Sequence, residues 1–245
     1  TAAQRLAALE QRDAEVTRLN AESERVTGDL WHAASDLSAR RRETAAKLAR
    51  AVTAQLVDLG FRQCEFGVHL TSLARTSQPE PQPGRTGIDS VEFQFAPNPG
   101  EPAKPLRAIA SSGELARAML AIKTVLAVED QIPVLIFDEV DANVGGETAN
   151  AVGEKMRVIA QRRQVLCITH LPQVAALADA HFVVTKQIAG GRTQSAIERL
   201  DRAGRVTELA RMLGGQSQAA RHHAVELLRG SASPHSRASK VDGPG

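Results

Sequence analysis

Two adjacent acids close an apolar run that spans Pro133 to Asp141 and reads PVLIFDEVD. Such a continuous apolar run predicts a strand buried on both faces, as in a parallel sheet. Ligands of such sheets bind beyond the carboxyl ends of the strands. Asp138 and Glu139 stand at that end and repel each other. A divalent cation at Asp138 relieves the repulsion, which leaves Glu139 suited to deprotonate a water as general base. Acid pairs at strand ends also serve as plain helix caps.

Two further groups carry possible chemistry. In Ile109 to Leu115, IASSGEL, Ser111 and Glu114 have the S-x-x-E spacing of a capping box. The same turn presents free backbone N–H groups and a hydroxyl to an anion. Capping explains Ser111 and Glu114 but gives no reason for Gly113 between them. His170 ends a second apolar run, VLCITH, which places an imidazole at a strand end beside Asp138 and Glu139. It either reaches a terminal phosphate there or is an ordinary surface histidine.

These groups need elements to position them. Leu115, Met119, Ile122 and Leu126 predict an amphipathic helix after Ser111, and Ala149, Val152, Met156 and Ile159 predict another between the two apolar strands. A short helix covers Gln173 to Leu177. His181–Lys186 and Thr193–Leu200 read as a hairpin around Gly190-Gly191, followed by a helix with Val206, Leu209, Ala210 and Leu213 that Gly214 caps. Upstream, Cys64 to Leu70 and Val91 to Phe95 alternate as half-buried strands. The Pro-, Gln- and Ser-rich stretch from Thr71 to Asp89 separates them as a loop. Strand–helix–strand alternation of this kind points to an α/β lobe.

Residues 1–59 read as helix, with no proline and Gly28 as the one interior glycine. Ala2, Leu6, Leu9, Val16, Leu30, Ala34 and Leu37 fall on one heptad seam, which Asp13, Asn20, Ser23 and Thr27 interrupt. That is one arm of a coiled coil with a weakened middle. One amphipathic arm cannot bury its stripe alone, so it needs a partner strand or a docking surface. Residues 231–245 are Ser, Pro, Gly and charge, and read as a disordered tail. The remaining span, 60–230, is the α/β lobe.

Composition narrows the function classes. Hydrophobic residues make up 42% of the 245, and aromatics only 3%, so the core is aliphatic. A formal charge of +2 gives no global argument for nucleic acid, and the Arg40-Arg41-Arg42 run reads as a solvated helix face before it reads as a local patch for nucleic acid. Cys64 and Cys167 have no CxxC partner, which suits free thiols in a reducing cytoplasm and argues against a zinc site. No apolar run is long enough to span a membrane. There is no HExxH, and no G-x-S-x-G surrounds Ser111 or Ser112.

Taken in order, the three signals resemble the C-terminal lobe of ABC-type ATPases of the SMC class. IASSGELARAMLAIK, LIFDEVDANVGG, ITHLPQVAALAD and RVTELARMLGG narrow the resemblance to the RecN family, which acts in recombinational repair of DNA double-strand breaks. The resemblance runs from residue 1 to about 215. It implies the C-terminal lobe of an SMC-type ATPase head, with buried, largely parallel strands and flanking helices, preceded by a descending coiled-coil arm. It also implies ATP and Mg²⁺ as ligands and a bacterial, cytoplasmic, nucleoid-associated setting. Asp138 then matches the Walker B acid that holds Mg²⁺ and Glu139 the base. Ser111, Ser112, Gly113 and Glu114 match the signature motif facing ATP on the opposite protomer. Asp141 matches the D-loop acid and His170 the switch histidine near the γ-phosphate. The family has glycine where Ser112 stands, which puts the strength of the signature contact in question.

No G-x-x-x-x-G-K-[ST] occurs in the chain. A backbone cradle and lysine for the β- and γ-phosphates must therefore come from an N-terminal lobe. Two composite sites then form in a homodimer, with DNA bound by the full assembly. Another SMC-class ATPase, or a coiled-coil interaction module without hydrolysis, are the competing expectations.

Overall fold

The computed structural model describes residues 2–75, 82–189 and 192–232. Helix α1 (Ala2–Asp58) carries much of the N-terminal part. It ends as the sequence demands. Gly60 takes φ +94, its N–H bonds the carbonyl of Val57 at 3.2 Å, and Phe61 N–H bonds that of Leu56 at 3.1 Å. This paired closure is open to glycine because it lacks a Cβ. Much of the apolar seam of α1 lies open to solvent, with Leu9, Val16, Leu30 and Leu37 all 38–56% exposed, while Ala34 is buried. Exposed i,i+3 and i,i+4 pairs such as Arg18–Glu15 and Arg25–Asp29 brace the helix only weakly, because solvent screens them.

The chain divides into two compact units. The first contains α1 as far as Arg50, with strands β1 (Glu65–Ser72) and β2 (Asp89–Ala96) and the two-residue β3 (Lys104–Pro105), in the order β1-β2-β3. Trp31, Ala34 and Ile88 form a small core here. Beside it, buried Asp89 accepts hydrogen bonds from Ser38 and Ser72, each at 2.7 Å, and from Arg41 at 3.1 Å. These bonds draw Ser72 and Asp89 into strands, where the sequence reads as loop. The loop expectation for residues 76–81 lies outside the described residues.

The second unit begins at Ala51 and contains the elements from Leu106 onward. Strand β4 (Val134–Phe137) pairs in parallel with β5 (Gln164–Cys167), with Phe137 opposite Cys167. Helix α2 (Ser112–Val125) precedes β4, and α3 (Gly146–Ala160) connects the two strands. α3 buries Ala149, Val152, Met156 and Ile159, the face its periodicity predicts. α2 is rotated from expectation. It buries Gly113, Arg117, Ala118, Leu120, Ala121 and Ile122, and leaves Met119 exposed, because its small residues allow close packing. Lys155 of α3 is buried and anchors the end of α1 through Gln55 at 2.6 Å and Asp58 at 2.8 Å.

Strands β6 (Phe182–Ala189) and β7 (Arg192–Arg199) form the expected antiparallel hairpin; the turn glycines lie outside the described residues. Helices α4 (Pro172–Ala176), α5 (Arg202–Met212) and α6 (Gln218–Ala232) enclose an aliphatic core of Ala175, Ala176, Leu209, Ala210 and Ala224. Gly214, at φ +103, closes α5 as expected. The sequence reading has no counterpart for α6. Residues 231 and 232 belong to it, and the expectation for 233–245 falls outside the described residues.

One expectation is corrected. β4 is buried on one face only: Leu135 and Phe137 point inward, while Val134 and Ile136 are 39% and 69% exposed. Leu166 and Ile168, in and just after β5, are exposed likewise. The apolar run reflects residues able to be covered on both sides, and in this chain only one side is.

Candidate functional site

The parallel register places the ends of β4 and β5 side by side, and Ile168 N–H continues the ladder to the Phe137 carbonyl at 3.0 Å. Asp138 and Glu139 therefore leave β4 next to the point where Thr169 and His170 leave β5. The field of the acids is felt across this edge. Burial first, then Asp141 and Asp138, push the Cys167 thiol up to about 12.

The chain turns sharply after Asp138. Glu139 has φ 56 and Asn143 φ 58, both left-handed. Such a conformation is common for Asn but costs a glutamate about 1–3 kcal/mol. Val140 and Asp141, between them, are buried, while Asp138 and Glu139 are exposed. Anchoring Val140 inward turns Glu139 out to solvent. The turn is closed by Ala142 N–H on the Glu139 carbonyl at 3.0 Å.

Asp141 is 2% exposed, and its carboxylate is occupied. It accepts the Thr169 hydroxyl and the His170 backbone N–H at 3.0 Å, and it lies 3.2 Å from His170 Nδ1. The His170 side chain is otherwise largely exposed. With Nδ1 facing the acid, Nε2 is the nitrogen left for a ligand. Thr169 passes the order on, since its hydroxyl accepts Leu171 N–H at 3.0 Å where α4 begins.

Ser111 is the N-cap of α2 and accepts Glu114 N–H at 3.4 Å, as the S-x-x-E spacing predicts. Ser112 is the exposed first residue of α2. Its helical backbone makes no demand for glycine. Gly113 is explained by packing: a Cβ there would lie 3.0 Å from the Ala142 Cβ. The start of α2 thus packs directly on the turn that follows Glu139.

Sequence reasoning missed Thr169 and Arg117. Thr169 had a signal in its place before His170. Arg117 is buried, donates to the Ala142 carbonyl at 2.8 Å and lies 5.1 Å over the Phe61 ring. Nothing in the sequence distinguishes it from the chain's many surface arginines. Among the described residues, no three His, Cys, Asp or Glu side chains converge on a metal position.

The chain resembles solved heads of SMC proteins. It matches the Smc head domain with coiled coil and joint from Pyrococcus yayanosii at a TM-score of 0.53, with 18% identity, over 90% of this chain and 36% of that one. For the Smc head domain with an extended coiled coil from Pyrococcus furiosus, the TM-score is 0.50 at 20% identity, over 81% of this chain and 46% of that one. A long helix followed by a mixed α/β region is therefore the fold of an SMC-type head. In sequence, the chain is 42% identical to the DNA repair protein RecN of Treponema pallidum over 87% of its length, and 40% identical to that of Deinococcus radiodurans over 94%. The similarity to RecN covers most of this chain, which spans about two fifths of the length of these relatives. No family model matches the chain. No described helix is long and apolar enough to cross a membrane.

Proposed function

We propose that the chain is the C-terminal part of a RecN-type ATPase that acts in recombinational repair of DNA double-strand breaks, and that it supplies half of a composite ATP site. The observation that carries this reading is the convergence of Glu139, His170 and the start of α2 on the loops at the carboxyl ends of β4 and β5. In this reading residues 1–59 form the coiled-coil arm, and 60–230 the lobe.

Glu139 is the general base. Its left-handed backbone turns the carboxylate to solvent, where it takes the proton of the attacking water. His170 presents Nε2 to the γ-phosphate and is held by Asp141, which also matches the D-loop acid. Ser111, Ser112, Gly113 and Glu114 face the ATP of the opposite protomer, where the free N–H groups of α2 and the Ser111 hydroxyl favour an anion. Asp138 is the residue that would hold Mg²⁺, whose charge would offset that of the phosphates. A single protein acid fits this ion, since Mg²⁺ keeps several waters and takes phosphate oxygens.

Two features support an N-terminal lobe as partner. The sequence has no G-x-x-x-x-G-K-[ST] motif, and the outer face of β4 and β5 exposes Val134, Ile136, Leu166 and, just after β5, Ile168. A partner strand for the open seam of α1 belongs to the same reading. Dimerisation through the ATP sites and DNA binding by the complete assembly complete it. A fluorescent ATP analogue tests the composite site. The chain combined with a RecN N-terminal segment is expected to bind it, and each piece alone only weakly. Equally tight binding by this chain alone would contradict the reading.

A further inference from the structure

We infer that Arg117 is a positioning residue that locks the Glu139 turn to the start of α2, so that base and signature turn move as one body. The inference rests on the site reading above and assigns a part to a residue that reading leaves without a role.

Arg117 sits on the buried face of α2, one turn beyond Gly113, and is 8% exposed. Its Nη1 donates to the Ala142 carbonyl at 2.8 Å. Ala142 in turn donates its N–H to the Glu139 carbonyl at 3.0 Å and lies between the two left-handed residues, Glu139 and Asn143. The residue whose N–H closes the strained turn is therefore gripped by Arg117 through its carbonyl. Gly113 presses on the same residue from α2, and the missing Cβ leaves the guanidinium its space: a Cβ there would lie 3.4 Å from Nη1.

Stability alone does not account for this arginine. Among the described residues no acid forms a hydrogen bond or ion pair with its guanidinium; its neighbours are a carbonyl and the Phe61 ring, and its Nε is buried without a hydrogen-bond partner. Burial lowers its pKa, with only partial relief from the charge of Glu114. An apolar side chain of similar length would avoid burying that charge. What it would lose is the grip on Ala142. A left-handed glutamate persists only where its surroundings fix it, and here the fixing bond comes from the helix that carries Ser111 and Gly113.

The test uses the assembled ATPase, this chain with its N-terminal segment, carrying Arg117→Met, Arg117→Lys or Glu139→Gln. Arg117→Met is expected to melt within about 4 °C of the parent. Its kcat should fall about ten- to hundredfold, as misplacement of a reacting group does, with KM for ATP nearly unchanged. Arg117→Lys, which can still reach the carbonyl, should recover part of kcat. Normal kcat in Arg117→Met, or a loss of activity that only tracks unfolding, overturns the inference while leaving Glu139 in place. Continued turnover by Glu139→Gln overturns the site reading, and this inference falls with it.

Discussion

Asp141 holds His170 at two points: its carboxylate accepts the His170 backbone N–H at 3.0 Å and lies 3.2 Å from Nδ1. A buried acid that orients an imidazole fixes which ring nitrogen faces outward. Asp141→Ala would strand the Thr169 hydroxyl and the His170 N–H without a partner. A destabilisation of about 1–3 kcal/mol is expected from urea unfolding. In the assembled ATPase, Asp141→Ala and His170→Ala should each lower turnover, and the double variant should be little worse than either alone, because the two act as one unit. Additive losses would show that Asp141 works independently of His170.

Cys167 should be inert. With its thiol pushed up to about 12 by burial and by Asp141 and Asp138, only roughly one molecule in ten thousand carries a thiolate at pH 8. Peptide mapping after brief iodoacetamide treatment should find Cys167 unmodified in the native protein and alkylated in urea. Equal labelling in both would mean that neither the burial nor the acids act on it as described.

The Asp89 cluster should make the first unit acid-sensitive. Burial penalises the Asp89 charge, but hydrogen bonds from Ser72, Ser38 and Arg41, with the Arg41 charge, outweigh it and hold the carboxyl below its usual range. A depressed folded-state pKa stabilises above the unfolded value, near 3.9, and the contribution is lost as pH falls through the folded value. Trp31, the one tryptophan, lies in the core of the same unit. Its fluorescence should report a transition below about pH 4 that Asp89→Asn removes, with lower stability at neutral pH. An unchanged acid transition in Asp89→Asn would place the sensitive group elsewhere.

Much of the local geometry around the candidate site was legible in the sequence because strand ends and helix caps are local features. The apolar run before Asp138 fixed the strand, and S-x-x-E fixed the start of α2 at Ser111. The left-handed turn at Glu139 was not legible, since glutamate carries no signal for it; it goes with burial of Val140 and Asp141 and with the Arg117 bond to the Ala142 carbonyl. The pairing of Asp141 with His170 joins residues 29 apart and depends on the β4–β5 register. Gly113 was visible as unexplained by capping, but its reason, Ala142 against the helix, needed coordinates. Helix α6 went unread although Ala220, Ala224, Leu227 and Leu228 have helical spacing and Ser217 accepts Ala220 N–H at its start. The exposed face of β4 escaped because composition records what a strand can bury, not what covers it.

Steady-state ATP hydrolysis by this chain joined with a RecN N-terminal segment, with and without Glu139→Gln, tests the composite site most directly. The mixture should turn over ATP, this chain alone should not, and Glu139→Gln should lower kcat at least about a hundredfold while the pieces still assemble. Undiminished hydrolysis by a purified Glu139→Gln assembly would contradict the assignment of Glu139 as the base.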